Sequence, residues 1–441
     1  MTYTSNFLIS AIASGSGKTT VTLGLLRALR NRGLNVQPFK CGPDYIDTKY
    51  HVLAAGNESV NLDLFLSSES HIKYLYNKYS SDKDVCITEG VMGLFDGYDR
   101  MNGSSAQIAE KLDIPVILVL NAKSMAYSAA ALLYGFKNFS DKINITGVIF
   151  NFVASESHYN FLKDACHDVG LEPLGYLPKN TDIEIPSRHL GLNIDEQYRF
   201  DDFADKAAAL IEKHIDIDKL LSITARREPH TGITKEINVP LQGLRISVAR
   251  DAAFNFMYHE NIEYMKRIGV VSYFSPLYDK QLPESDFIYL PGGYPELYLS
   301  ELSNNRTMQD SIRHYVEAGG KALAECGGMM YLSSSISDEN GIEYPMVNIF
   351  DQKATMENMR LKLGYRQFEY NGVLLKGHEF HYSSIKSEQQ SVVQQYTAKG
   401  QPTDTKLLRY KNVIAGYTHL YWADTNNLMD LFKKRDSYTS I

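Results

Sequence analysis

Two groups of residues in this 441-residue chain have types and spacing suited to chemistry. The first is Ser14-Gly15-Ser16-Gly17-Lys18-Thr19-Thr20, which follows an apolar run at residues 7–13 and opens a helical pattern at 19–32. Glycines let backbone N–H groups curl around phosphate oxygens, and the start of the following helix adds a favourable dipole. Lys18 is placed to reach terminal phosphates, and the Thr19 hydroxyl to bind Mg²⁺. The second group is Ala324-Glu325-Cys326-Gly327-Gly328-Met329, a cysteine between a strand-like run and a helix-like run. A tight turn there exposes the sulfur at a helix start, where the dipole is expected to lower the thiol pKa. His419, in Gly416-Tyr417-Thr418-His419-Leu420, is the candidate base. The pair Gly292-Gly293 follows another strand-like run, and N–H groups at Gly293 and Gly327 are the candidate oxyanion donors.

Acidic residues cluster after two further strand-like runs, in Lys40-Cys41-Gly42-Pro43-Asp44-Tyr45-Ile46-Asp47 and in Glu89-Gly90-Val91-Met92-Gly93-Leu94-Phe95-Asp96. Ligands of doubly wound sheets sit at the carboxyl ends of strands, so both segments should face the phosphates. Mg²⁺ takes hard oxygens. Asp47 and Glu89, with Thr19, are therefore the candidate metal ligands. Asp44 and Asp96 are candidates for positioning an acceptor, and Lys40 for offsetting phosphate charge. The phosphate loop lacks the glycine expected five residues before Gly17, where Ile12 stands. Partition-type ATPases carry an extra lysine five residues before the loop lysine. Ala13 stands there and weighs against such a dimer switch.

The elements that must position these groups alternate strand and helix. Strands are expected at 36–40, 84–88, 115–120 and 145–150, with loops at 173–178 and 185–192. Such alternation argues for a mostly parallel sheet. Residues 216–243 are polar, with Pro229, Gly232 and Pro240, and read as a linker. A second α/β pattern then begins, with strands at 244–249, 287–290 and 321–325 and helices at 255–268 and 308–318. The organisation is thus an N-terminal phosphate-binding domain over 1–215 and a C-terminal domain over 244–441.

Composition excludes other classes. A net charge of −7 gives no basic footprint for nucleic acid. No apolar run approaches the roughly 20 residues that span a bilayer. The four cysteines form no CxxC pair, so reduced thiols in a cytoplasm are expected. His378 and His381 stand three residues apart, not the four of a zinc-protease helix, which argues against a metal there.

The order GSGKTT, FKCGPDYID, TEGVMGLFDG, IPSRHLGL, ARDAAFNFMYHEN, LPGGYPE, AECGGMMYL, GHEFHYS and GYTHLYWA resembles the cobyrinate a,c-diamide synthases, over nearly the whole chain. The resemblance implies an α/β fold: an N-terminal P-loop NTPase sheet like that of dethiobiotin synthetase, then a flavodoxin-like class I glutamine amidotransferase domain. It implies amidation of the a- and c-carboxylates of a corrinoid in cobalamin synthesis. ATP with Mg²⁺ would activate each carboxylate as an acyl phosphate, and Cys326 would free ammonia from glutamine. Gly15, Ser16, Gly17, Lys18, Thr19, Thr20 and Lys40 fall on the nucleotide loops, and Asp44, Asp96 and Arg188 on the acceptor loops. Many class I glutaminases carry a glutamate two residues after the histidine. Tyr421 stands there, so the resemblance implies a Cys326–His419 dyad whose orienting partner is unassigned. The partners implied are ATP, glutamine and a tetrapyrrole, with a homodimer open. A nickel-sirohydrochlorin a,c-diamide synthase, a cobyric acid synthase and a partition-type regulatory ATPase are the competing readings.

Overall fold

The computed structural model describes residues 3–179, 197–227, 243–425 and 427–433. The chain divides into two compact units, Met1–Lys235 and Glu236–Ile441.

The first unit is built on β1 (Tyr3–Ala11), β2 (Val36–Cys41), β3 (Val60–Leu62), β4 (Val85–Glu89), β5 (Val116–Asn121), β6 (Ile145–Val153), β7 (Glu172–Pro178) and β8 (Ala225–Arg227). The sheet order is β3-β2-β4-β1-β5-β6-β7, with β8 on β1. The seven strands of the main path pair in parallel, and β8 runs antiparallel to the start of β1. Phe7, Leu8 and Ile9 are consecutive and fully buried, as a strand covered on both faces requires. The helix Lys18–Asn31 covers one face and ends where Gly33 takes φ +82°. The chain travels outward from β1 to β2 and β3, then returns through β4 and crosses to β5. The loops after β1, β2 and β4 therefore open at the same carboxyl edge, around the switch in strand order.

Two expectations for this unit are corrected. Residues 173–178, read as a loop from their prolines and glycine, form most of β7. Its position at the sheet edge is one that tolerates proline. Residues 216–243, read wholly as a linker, begin with a helix at Ile217–Ile223 and then β8. Ile217 and Leu220 bury the apolar side of that helix. The remainder of that stretch up to 242 lies outside the described residues.

The second unit contains β9 (Leu244–Ala249), β10 (Gly269–Phe274), β11 (Phe287–Leu290), β12 (Lys321–Glu325), β13 (Ser333–Ser337), β14 (Glu343–Pro345), β15 (Phe350–Thr355), β16 (Lys362–Tyr370), β17 (Val373–His381), β18 (Ser384–Lys386), β19 (Leu407–Tyr410), β20 (Val413–Gly416) and β21 (His419–Tyr421). Its main sheet has the order β10-β9-β11-β12-β20-β19, the flavodoxin-like arrangement with one added antiparallel edge strand. Alternate residues feed two cores. Ala249, Leu290, Ala324 and Ala415 enter one, and Ile246, Val248, Tyr289, Leu323 and Ile414 the other. Smaller sheets, β14-β13-β15-β18 and β16-β17-β21, complete the unit. The helix expected from 255 begins instead at His259, because Phe256 bridges to Gly292 and holds residues before it extended.

Candidate active sites

In the first unit the phosphate loop turns between β1 and the helix Lys18–Asn31 with Gly15 at φ +77° and Gly17 at φ +92°. A side chain at Gly17 would be strained at this φ and would displace Asn151. A Cβ there would fall 2.0 Å from Nδ2 of Asn151, and that amide donates to the Ser16 carbonyl at 3.1 Å. Asn151, near the end of β6, thus braces the loop, a contact that sequence reasoning did not find. Lys18 Nζ donates to the Met92 carbonyl at 2.6 Å, which ties the loop to the segment after β4. Thr20 lies in the first turn of the helix.

Glu89 ends β4, is fully buried and collects three partners. Its Oε1 accepts from Thr19 Oγ1 at 2.7 Å and from Lys40 Nζ at 3.0 Å. Its Oε2 lies 2.7 Å from His51 Nε2, whose other ring nitrogen is 3.1 Å from Ser59 Oγ. Burial alone would raise the carboxyl. Lys40, His51 and Thr19 more than offset it and hold Glu89 well below the usual carboxylate range. Lys40 is also buried. Burial opposes its charge, but Asp47 at 2.7 Å, Glu89 and Asp44 keep the ammonium well above its ordinary range. Of the expected metal ligands, Thr19 meets Glu89 directly, whereas Asp47 is paired with Lys40. Asp44 Oδ1 accepts from the amides of Ile46 and Asp47 at 2.9 and 2.8 Å, closing the turn that leads into the helix Asp47–Ala55. Asp96 Oδ2 accepts from Gly93 N at 3.1 Å and closes the turn after β4. Arg188 lies outside the described residues, as does His189. Among the described residues no group of three or more His, Cys, Asp and Glu side chains forms a metal cage. A cation here would draw on Thr19, Glu89, water and phosphate oxygens, the donor set that Mg²⁺ takes.

In the second unit Cys326 turns the chain between β12 and the short helix Gly327–Tyr331, with φ +47° and ψ −107°. For a residue with a side chain this is a strained elbow. The Cys326 amide donates to the Gly416 carbonyl at 2.8 Å, and Sγ lies 3.9 Å from the Phe380 carbonyl. The loop carrying Gly292 and Gly293 packs over His419 and over Gly327, the residue after Cys326. A Cβ on Gly292 would meet His419 Cε1 at 2.1 Å, and one on Gly327 would meet Gly293 N at 3.1 Å. Gly293 and Gly327, the expected oxyanion donors, are therefore neighbours at the elbow.

The expected effect of the helix on the thiol does not prevail. Burial first, then the Glu296 carboxyl, pushes the Cys326 thiol up, and the helix is only five residues long. Burial, with His378 and His381 adding to it, pushes His419 down to about 3. Both shifts favour the uncharged forms of the thiol and the imidazole.

His378 stands directly opposite His419 in the β17–β21 ladder. His378 and His381 fall on opposite faces of β17, so a strand periodicity separates the two histidines of that motif. His381 instead joins Glu379. The Glu379 carboxylate binds His381 Nε2 at 2.7 Å, Arg366 Nη2 at 2.6 Å and Thr405 Oγ1 at 2.7 Å. Burial would raise Glu379, but these partners hold it at about 2. The His381 ring stacks on Tyr417, centroids 3.5 Å apart. This buttress behind the elbow was missed from sequence. Its one visible signal was a glutamate at an inward position of an alternating strand.

The fold and sites define a nucleotide-binding P-loop unit and a glutaminase-type unit carried on one polypeptide. Residues 7–192 match the CobQ/CobB/MinD/ParA nucleotide binding domain, and residues 245–427 the CobB/CobQ-like glutamine amidotransferase domain. A cobyrinate a,c-diamide synthase from Caldanaerobacter subterraneus subsp. tengcongensis is 41% identical over 430 residues, 94% of each chain. One from Listeria monocytogenes is 43% identical over 395 residues, 86% of this chain and 87% of that one. The chain belongs to the cobyrinate a,c-diamide synthase family, and is accordingly a glutamine-dependent amidoligase. Among solved structures, the signal recognition particle 54 kDa protein from Aeropyrum pernix with GDP is 19% identical, with a TM-score of 0.32 over 40% of this chain and 42% of that one, too distant to argue from. Among the described residues no helix is long and apolar enough to cross a membrane.

Proposed function

We propose that this chain uses ATP, Mg²⁺ and glutamine to convert the a- and c-carboxylates of cobyrinate into amides, a step of cobalamin biosynthesis. The observation that carries the reading is the pairing, in one chain, of a phosphate loop bonded through Thr19 to a buried Glu89 with a strained Cys326 elbow, the Gly292-Gly293 loop lying against both Gly327 and His419.

In the second unit Cys326 Sγ attacks the carboxamide carbon of glutamine while His419 takes the thiol proton. Because burial favours the neutral thiol and imidazole, transfer accompanies attack and no stored thiolate is needed. The N–H groups of Gly293 and Gly327 hold the oxyanion. His419 returns the proton to the departing nitrogen, ammonia leaves, and water then releases glutamate from the thioester.

In the first unit the amides of residues 15–20 hold the ATP phosphates, and Lys18 exchanges the Met92 carbonyl for phosphate oxygens. Mg²⁺ bound through Thr19 and Glu89 would neutralise charge on the terminal phosphates. Lys40, fixed by Asp47, lies behind Glu89 and balances charge as the acceptor carboxylate oxygen attacks the γ-phosphorus and ADP departs. Asp44, Asp96 and Arg188 are assigned to placing the acceptor. Ammonia then attacks the acyl carbon and phosphate leaves. Cys326→Ala tests the division of labour. Glutamine-driven amidation should vanish while free ammonium still supports it, and loss of both would contradict the proposal.

A further inference from the structure

Glu325 immediately precedes the cysteine and occupies the last position of β12, only 2% exposed. A carboxyl there is costly unless its oxygens are used, and both are. Oε1 accepts from the Leu420 N–H at 3.0 Å, and Oε2 bonds the Tyr289 hydroxyl at 2.6 Å. Leu420 immediately follows His419. One side chain therefore joins the covalent neighbour of Cys326 to the covalent neighbour of His419.

The topology explains why such a link is needed. β20 stays in register with β12 as far as Gly416 opposite Glu325. The chain then leaves that sheet, and β21 pairs with β17. No backbone ladder runs from β12 to the His419 segment in the described sheets. On the other side, Asn261 Nδ2 donates to the Leu420 carbonyl at 2.8 Å and Asn261 Oδ1 accepts from Trp422 N at 3.0 Å. Both backbone groups of Leu420 are thereby fixed by side chains. Burial pushes the Glu325 carboxyl up to about 8, against the hydrogen bonds it accepts from Tyr289 and Leu420.

We infer that Glu325 is the positioning residue of the glutaminase site, setting the separation and angle of Cys326 and His419 across the gap between two sheets. It takes the place, by a different route, of a carboxylate that would touch the histidine. The inference rests on the glutaminase reading of Cys326.

The test measures glutamine hydrolysis and ammonium-driven amidation on the full chain. Glu325→Leu should lower the glutaminase kcat about 100-fold, as a misplacement of about 1 Å does, with KM changed less than about threefold. Ammonium-driven amidation should persist. Glu325→Gln keeps the side-chain length, an oxygen that accepts from Leu420, and an N–H that the Tyr289 hydroxyl accepts once it turns, and should restore kcat to within about threefold of the parent. Tyr289→Phe frees one oxygen only and should lower kcat about tenfold, which gives a readout even where Glu325→Leu does not fold. An unchanged kcat in Glu325→Leu or in Tyr289→Phe, or a Glu325→Gln variant no better than Glu325→Leu, would overturn the inference. Glutamine hydrolysis surviving Cys326→Ala would instead overturn the glutaminase reading beneath it.

Discussion

Cε1 of His419 lies 2.1 Å from the point where a side chain on Gly292 would begin. The imidazole is thus seated against bare backbone. Gly292→Ala must push the ring or the loop aside by about 1 Å. The glutaminase kcat is expected to fall about 100-fold, while ammonium-driven amidation stays at the parental rate. Steady-state glutaminase assays check this, and an unaltered kcat would show that His419 is free to move.

Glu89→Gln removes the charge that Thr19, Lys40 and His51 converge on. Amidation should fall about 10²–10³-fold, the usual cost of losing one preorganised electrostatic partner. Glutamine hydrolysis should remain. Parallel assays of ADP formation and glutamate release distinguish the two activities, and equal losses in both would contradict the assignment of Glu89 to nucleotide chemistry.

Lys40→Met tests stability as well as chemistry. It leaves Asp47 and Glu89 buried without their cation. Breaking a buried ion pair by removing one partner costs about 3–5 kcal/mol, so the first unit should melt on the order of 10 °C lower. Scanning calorimetry of the nucleotide-free protein checks it, and an unchanged transition would mean that water reaches the cluster.

The reactive pair makes a prediction about pH. His419 is depressed to about 3 from an ordinary value of 6.5. It contributes stability that is present above pH 6.5 and is lost as pH falls towards 3, at about 1.4 kcal/mol per unit. Cys326 is raised, so its contribution is complete below its ordinary value of 9.0 and is lost as pH rises towards its folded value. Alkylation of Cys326 by iodoacetamide should therefore climb about tenfold per pH unit from pH 7 to 9 without a plateau. A plateau below pH 8 would reveal a thiolate–imidazolium pair.

The loops that do chemistry were legible because their residue types have few other uses. Glycines before Lys18, a cysteine followed by two glycines, and acids after strand ends all follow from what phosphate, acyl and metal chemistry require. Strands whose burial alternates strictly or runs continuously, such as β9, β11 and β12, were readable to the residue. β7 was not, because its prolines signal a loop unless its place at the edge of the sheet is known. The supports were hidden for a similar reason. Asn151 lies 135 residues from the loop it braces. Glu325 and Leu420 are 95 apart. Such contacts depend on the topology, and the local pattern of one segment carries no trace of them. The thiol was misjudged because its burial outweighs a short helix.

The most direct test of the two-site account is to supply cobyrinate, MgATP and glutamine labelled at its amide nitrogen, and to analyse the corrinoid product by mass spectrometry. The account predicts two labelled amides per corrinoid, with ADP formed in step with each. A product carrying no labelled nitrogen, or glutamine hydrolysed with cobyrinate unchanged, would contradict it.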